Sequence, residues 1–279
     1  MADNQVLNTV ILIEDIDSLS AHEKANALAK RLDLAVHEIK PAHAKSNAAN
    51  SSTRKKQFSN EQWQLVVTKK GLVLRLSSQP DWGDIHVDFC GNSLAYRRQH
   101  GGGKKEPLVK AVGLHKNRDL RILDCTAGMG VDSFIMAAAG GKVTMLERQY
   151  HISALLEDAL ERAKQNKLDL SHRLILKTVD AFDYLQGSPD KYDIIYLDPM
   201  FPHKKKSALV KKEMQAFQKL LGEDTDSSKV MTLALSQAHR RVVVKRPNQA
   251  DPLQNDEKRL PDLATTTKKH RFDIYLTRS

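Results

Sequence analysis

Cysteine is scarce in this sequence: Cys90 and Cys125 are the only two in 279 residues. Two thiols cannot form a disulfide framework, and these stand too far apart for a local metal-binding motif. A reducing, cytoplasmic compartment is therefore expected. The histidines are scattered, without His-x-Glu or closely paired spacing, so no zinc site is expected. Long apolar runs are also missing. The longest falls far short of the ~18 residues that suggest a membrane span, and the first residues lack the basic-then-apolar order of a secretory signal. No membrane partner is expected.

Positive charge is what the chain has in excess. Lys and Arg number 44 against 34 Asp and Glu, for a formal net charge of +10. Hydrophobic residues at 41% and charged residues at 28% match ordinary globular usage, which excludes disorder throughout. The length suits one large domain or a large and a small one. A basic chain of this kind favours a polyanionic partner, nucleic acid before a membrane surface.

Residues 1–90 read as a small α/β unit. Thr9–Ile13 is a β-branched run, and Ser20 with Glu23 has the pattern of a capping box ahead of Ala25, Leu28, Ala29 and Leu32. The stretch 41–60 is rich in Ala, Ser, Asn and Lys, with Phe58 as its one large apolar residue, and reads as a flexible segment. Leu65–Val67 and Leu72–Leu74 flank a Lys70-Gly71 turn as a hairpin, and Ile85–Phe89 reads as another strand. Trp63 and Trp82 are expected in the core of this unit.

Residues 91–279 alternate strand and helix. Strands are expected at Arg121–Asp124, Lys142–Glu147, Leu174–Val179, Tyr192–Leu197, Arg241–Lys245 and Arg271–Leu276. Helices are expected at Phe134–Ala139, Ile152–Gln165 and Ser207–Leu221. This order implies an α/β, doubly wound, mostly parallel Rossmann-like sheet, with its ligand at the carboxyl ends of the strands. The acidic residues Asp124, Glu147, Asp180 and Asp198 all fall at those ends.

Two constellations carry chemistry. The first is Asp124-Cys-Thr-Ala-Gly128-Met-Gly130-Val-Asp132, followed by Glu147 at the end of the next strand. A glycine turn admits a ligand close to the backbone, and a carboxylate about 20 residues on suits the two hydroxyls of a ribose. That much fits a dinucleotide or S-adenosylmethionine. The dinucleotide fingerprint asks for glycine where Thr126 and Ser133 stand. Asp124 and Asp132 also put negative charge beside the turn, which repels a pyrophosphate and attracts a sulfonium with its ammonium group. The balance favours S-adenosylmethionine.

The second constellation is Tyr196-Leu-Asp198-Pro199-Met-Phe201-Pro202. The lone pair of an exocyclic amine is delocalised into its ring, so methylation needs acceptors for the two amine protons. The Asp198 carboxylate and the Pro199 carbonyl are suited to that task, and Phe201 offers a face on which an unpaired base stacks. Basic clusters flank both features. Arg97 and Arg98 precede the Gly101–Gly103 break, and Lys204, Lys205 and Lys206 follow the Asp-Pro loop, where positive charge would position RNA phosphates. Cys125 lacks the Pro-Cys context of pyrimidine-C5 methyltransferases and reads as a small hydrophobe.

The chain resembles the ribosomal RNA small subunit methyltransferase J family. The resemblance is carried by Val87-Asp-Phe89, Arg97-Arg98 with Gly101–Gly103, Asp124-x-Thr-Ala-Gly-x-Gly130, Met145-Leu-Glu-Arg148 and Tyr196 to Lys204. It continues through Lys206 to Met214, Arg241 to Pro247 and His270 to Tyr275. It implies a class I methyltransferase fold and methyl transfer from S-adenosylmethionine to N2 of the guanine at position 1516 of 16S ribosomal RNA. It also implies the small ribosomal subunit as partner, and cofactor contacts on Val131-Asp132, Glu147-Arg148, Asp180-Ala181 and Asp198. Two other functions stay open on the residues themselves. One is an amine methyltransferase acting on adenine N6 or protein glutamine; the other is a non-catalytic RNA-binding assembly factor.

Overall fold

The computed structural model describes residues 9–39, 62–91, 94, 106–168, 170, 172–187, 191–199, 220 and 226–277. The expected flexible segment at 41–60 and most of the expected helix Ser207–Leu221 lie outside them. The described residues form two compact units, one reaching Val87 and the other starting at Asp88.

The first unit is a four-stranded sheet in the order β2-β1-β3-β4. Strand β1 (Thr9–Ile13) pairs in parallel with β2 (Val36–Glu38) and β3 (Trp63–Thr68), and β3 turns antiparallel into β4 (Gly71–Leu76). Val10, Leu12, Val66 and Val73 form one packed face. Helix α1 (Leu19–Leu32) buries Ala21, Ala25 and Leu28. Its N-cap is Ser18, whose hydroxyl accepts the Ala21 N–H, so the Ser20–Glu23 pair is not the cap. Both serines suit the role chemically; the local backbone takes the extended cap conformation two residues earlier than the pattern suggests. The expected strand Ile85–Phe89 is a single bridge, Ile85 to Leu74. The alternation there marks burial, since Ile85, Val87 and Phe89 are all buried, but not strand pairing. Trp63 is buried as expected, whereas Trp82 is half-buried in a one-turn 3-10 helix.

The second unit is a seven-stranded sheet in the order β10-β11-β9-β8-β5-β6-β7. Strands β5 (Arg121–Asp124), β6 (Lys142–Leu146), β7 (Leu174–Lys177), β8 (Tyr192–Leu197) and β9 (Ala238–Pro247) run parallel. Strand β11 (His270–Leu276) pairs antiparallel with β9, and the edge strand β10 (Leu263–Thr266) pairs antiparallel with β11. Helices α2 (Pro107–Ala111), α3 (Val131–Ala138), α4 (Tyr150–Gln165), α5 (Ala181–Gly187) and α6 (Ser227–Gln237) accompany them. The doubly wound, mostly parallel sheet expected from the sequence is present. Helices α2 and α5 and strand β10 were not legible, being short, and the longer α6 was also missed.

From β5 the chain winds outward through β6 and β7, then returns to the other side of β5 through β8 and β9. The direction of winding therefore reverses between β5 and β8. A crevice opens outside the carboxyl ends of the strands at such a reversal. Below it, Leu123, Leu146, Ile195, Leu197, Val242, Val244, Met231 and Tyr275 pack as a closed core, which makes the strand ends a rigid base.

Candidate active site

Asp124 ends β5, and the chain then turns sharply through Ala127–Gly130 into α3. The turn depends on glycine at two places. Gly128 and Gly130 both have positive φ, +52° and +71°. At Gly130 a Cβ would also stand 2.8 Å from Leu156 Cδ2 and 2.9 Å from Phe89 Cζ. Asp124 itself is 1% exposed. Its Oδ1 accepts the Thr126 N–H at 3.0 Å and its Oδ2 accepts the Ser133 hydroxyl at 2.6 Å. Burial raises its carboxyl to about 7, against the lowering pull of those two hydrogen bonds. Asp124 thus ties the turn to the first helical residues after it.

Glu147 follows β6 and is 6% exposed. Its Oε2 accepts the Gly128 N–H at 3.1 Å and its Oε1 accepts the Gln149 N–H at 2.8 Å. Desolvation pushes this carboxyl up to about 7 as well, opposed by the same two amide donors. Arg148, beside it, reaches Asp180 Oδ2 at 3.5 Å. Asp180 follows β7 and accepts the Phe182 N–H at 2.8 Å, so it caps α5, where Ala181 is the first residue. Val131, the first residue of α3, is exposed beside the turn.

Asp198 follows β8 across the reversal point. Its backbone N–H donates to Thr126 Oγ1 at 2.6 Å, fastening the Asp-Pro segment to the glycine turn. Lys245, near the end of β9, donates to Asp198 Oδ2 and Asp132 Oδ2, each at 2.8 Å. The Tyr196 hydroxyl donates to the same Asp132 oxygen at 2.6 Å. Partial removal from water raises the Asp198 carboxyl; Lys245 pulls it down and Asp132 pushes it up. Burial works against the Lys245 ammonium, but the two carboxylates outweigh it and its pKa is raised.

The fold therefore gathers Asp124, Gly128, Val131, Asp132, Glu147, Arg148, Asp180, Ala181, Asp198 and Pro199 at the carboxyl ends of β5 to β8 and the turns that leave them. Phe201, Arg97, Arg98, Lys204, Lys205 and Lys206 lie outside the described residues. Lys245, Thr126 and Tyr196 were missed as site residues by sequence reasoning. The only trace of Lys245 was a charge ending the apolar run Val242–Val244. Cys125 is buried, and desolvation holds its thiol well above the usual range, which suits packing and not nucleophilic attack.

Among the described residues, carboxylates outnumber cations here: Asp124, Asp132, Glu147, Asp180 and Asp198 face Lys245 and Arg148. Such a set fits a cationic ligand that carries vicinal hydroxyls. The family model described as "Putative SAM-dependent methyltransferase" matches residues 50–277. The ribosomal RNA small subunit methyltransferase J of Alteromonas mediterranea is 48% identical over 195 residues, 69% of this chain and 74% of that protein. The protein of the same name from Aeromonas salmonicida is 46% identical over 77% of this chain and 86% of its own length.

The chain belongs to the ribosomal RNA small subunit methyltransferase J family.

A crystal structure of a SAM-dependent methyltransferase from Neisseria gonorrhoeae agrees with that membership. It superposes with a TM-score of 0.65, at 28% identity over 95% of both chains. The family makes the chain an S-adenosylmethionine-dependent methyltransferase. Its cofactor suits the donor set found here: a sulfonium and an ammonium would relieve the crowded negative charge. Among the described residues, no helix is long and apolar enough to cross a membrane.

Proposed function

We propose that this enzyme methylates the exocyclic N2 of one guanine of 16S ribosomal RNA, the base implied by the family resemblance, within the small ribosomal subunit in the cytoplasm. The observation that carries the reading is the placement of Asp198-Pro199 on the opposite side of the switch crevice from the glycine turn, joined to it through Thr126. Methyl donor and amine acceptor would then meet across a few ångströms of fixed backbone, and such alignment supplies much of the rate in a displacement reaction.

S-adenosylmethionine supplies an electrophilic methyl group on a sulfonium. Glu147 holds the ribose hydroxyls, and Asp180 with Ala181 meets the adenine. Val131 and Asp132 line the methionine end. Asp124 builds the turn through its bonds to Thr126 and Ser133 and leaves direct contact to its neighbours. Asp198 and the Pro199 carbonyl accept the two amine protons of the guanine, which turns the nitrogen lone pair toward the methyl group. Proline adds stiffness and has no N–H of its own to compete. Phe201 stacks on the base, and Arg97, Arg98 and Lys204–Lys206 hold RNA phosphates.

The relatives are named for ribosomal RNA, which favours it over adenine or protein glutamine, and the full set of carboxylates favours catalysis over binding alone. The test is nucleoside mass mapping of 16S RNA from a strain lacking the gene. Loss of one N2-methylguanosine, restored by the gene, supports the reading. An unchanged methylation map removes it.

A further inference from the structure

We propose that Lys245 is the positioning residue of this reaction: by occupying Oδ2 of Asp198 and bridging to Asp132, it keeps Asp198 ionised with Oδ1 left for the guanine amine. The inference rests on the function proposed above and adds to it a residue and a protonation state.

The argument starts from the strand. Residues Val242, Val243 and Val244 are fully buried, and Lys245 follows them with 24% of its side chain exposed. An ammonium withdrawn from water is destabilising unless paired, and here it is paired twice at 2.8 Å. Through these two pairs Lys245 joins the helix that follows the glycine turn to the segment that carries Asp198, across the crevice. The pairing Leu197↔Val244 places it there, because the next residue on each strand is Asp198 and Lys245. Asp198 Oδ1 has no hydrogen-bond partner among the described residues.

The groups around Asp198 decide its charge. Asp132 faces it from α3, Asp124 from β5 and Tyr196 from β8, while Lys245 and Arg246 face it from β9. Without Lys245 the neighbouring carboxylates would share protons, and a protonated Asp198 could no longer accept the amine N–H in the required sense. In the transfer the N2–C bond forms as the C–S bond breaks. Positive charge passes from sulfur to N2, and one N2 proton then leaves to water. An ionised Asp198 stabilises that charge, and its pairing with Lys245 makes it an acceptor of hydrogen bonds before it is a base.

Two measurements test this. The first is the titration of Asp198 in the free protein, followed by carbon NMR of aspartate-labelled enzyme and assigned with Asp198→Asn. Lys245→Gln retains two amide donors without the charge; it should raise the Asp198 titration by about 1–3 pH units, the span for loss of a close opposite charge. Lys245→Arg should stay near the wild type. The second is the pH profile of kcat on RNA, whose acid limb should move up with Asp198 in Lys245→Gln and not in Lys245→Arg. A merely structural role would lower the whole profile without moving its limb. Identical titration in wild type and Lys245→Gln overturns the proposal whatever the substrate. A shifted titration with no methyl group on guanine would leave it standing and remove the functional reading instead. If Lys245→Gln does not fold, Lys245→Met is measured in its place.

Discussion

Thr126 and Asp198 are 72 residues apart in sequence, yet the Asp198 N–H donates to Thr126 Oγ1 at 2.6 Å. The same threonine donates its own N–H to Asp124. The glycine turn and the Asp198-Pro199 segment are therefore one hydrogen-bonded piece. Thr126→Val removes the hydroxyl at nearly constant volume and should destabilise the fold by about 0.5–1.5 kcal/mol, a net hydrogen bond. Turnover should fall further than stability does, because the acceptor loses its register to the donor. Thr126→Ser should restore both. Urea melts and single-turnover rates measure the two effects separately.

Asp198→Ala removes an acceptor from the amine and should lower turnover by ~10²–10⁴, the range of a positioned acid–base group. Asp198→Asn separates the roles, since an amide oxygen still accepts a hydrogen bond but takes no proton at neutral pH. If the charge of Asp198 matters, as its pairing with Lys245 implies, the Asn variant will be nearly as slow as Ala; substantial residual activity in Asn would mean that orientation alone dominates. Cofactor affinity must be measured in both by calorimetry. Near-normal turnover in a folded Ala variant would contradict the assignment.

Glu147→Ala should weaken S-adenosylmethionine binding by ~1.5–3 kcal/mol, the worth of a charge-assisted hydrogen bond. The pH dependence follows from the raised carboxyls. Asp124 and Glu147 are held near 7 in the fold, above their values in the unfolded chain. The stability they contribute is thus present at low pH and lost as pH rises through about 7. A bound cation favours their ionised forms, so cofactor affinity should rise across that window with release of protons. Calorimetry in two buffers of different ionisation enthalpy reads this directly, and Glu147→Gln should release fewer protons.

Gly130→Ala forces a side chain into a φ of +71° and against Leu156 and Phe89. Backbone strain and overpacking should together destabilise by about 2–4 kcal/mol. Because the turn itself must shift, cofactor affinity should fall as well. Thermal melts with and without S-adenosylmethionine would show a lowered Tm and a smaller gain on binding.

Replacing Lys204, Lys205 and Lys206 by Ala should flatten the salt dependence of RNA binding, by about 2–3 units in the slope of log K against log salt if all three touch phosphates. Cofactor affinity should not change. An unaltered slope would make the cluster an ordinary solvated face.

The sheet was legible because each parallel strand is a short apolar run, and such runs bury themselves on both faces wherever the chain places them. The glycine turn, Glu147 and Asp198 were legible because backbone freedom and charge at strand ends are local properties. Errors came where local signals compete. Ser18 and Ser20 are equally good caps, and Ile85–Phe89 alternates as a strand does while pairing at one residue. What no local pattern contained was the strand order. Only when β9 lies beside β8 does Lys245 stand next to Asp198, 47 residues away, and reach Asp132, 113 away. Residue types and spacing marked the glycine turn, Glu147 and Asp198 as candidates. The charge state of Asp198 is decided by the tertiary structure, because a carboxylate's proton affinity depends on every charge the fold brings within a few ångströms.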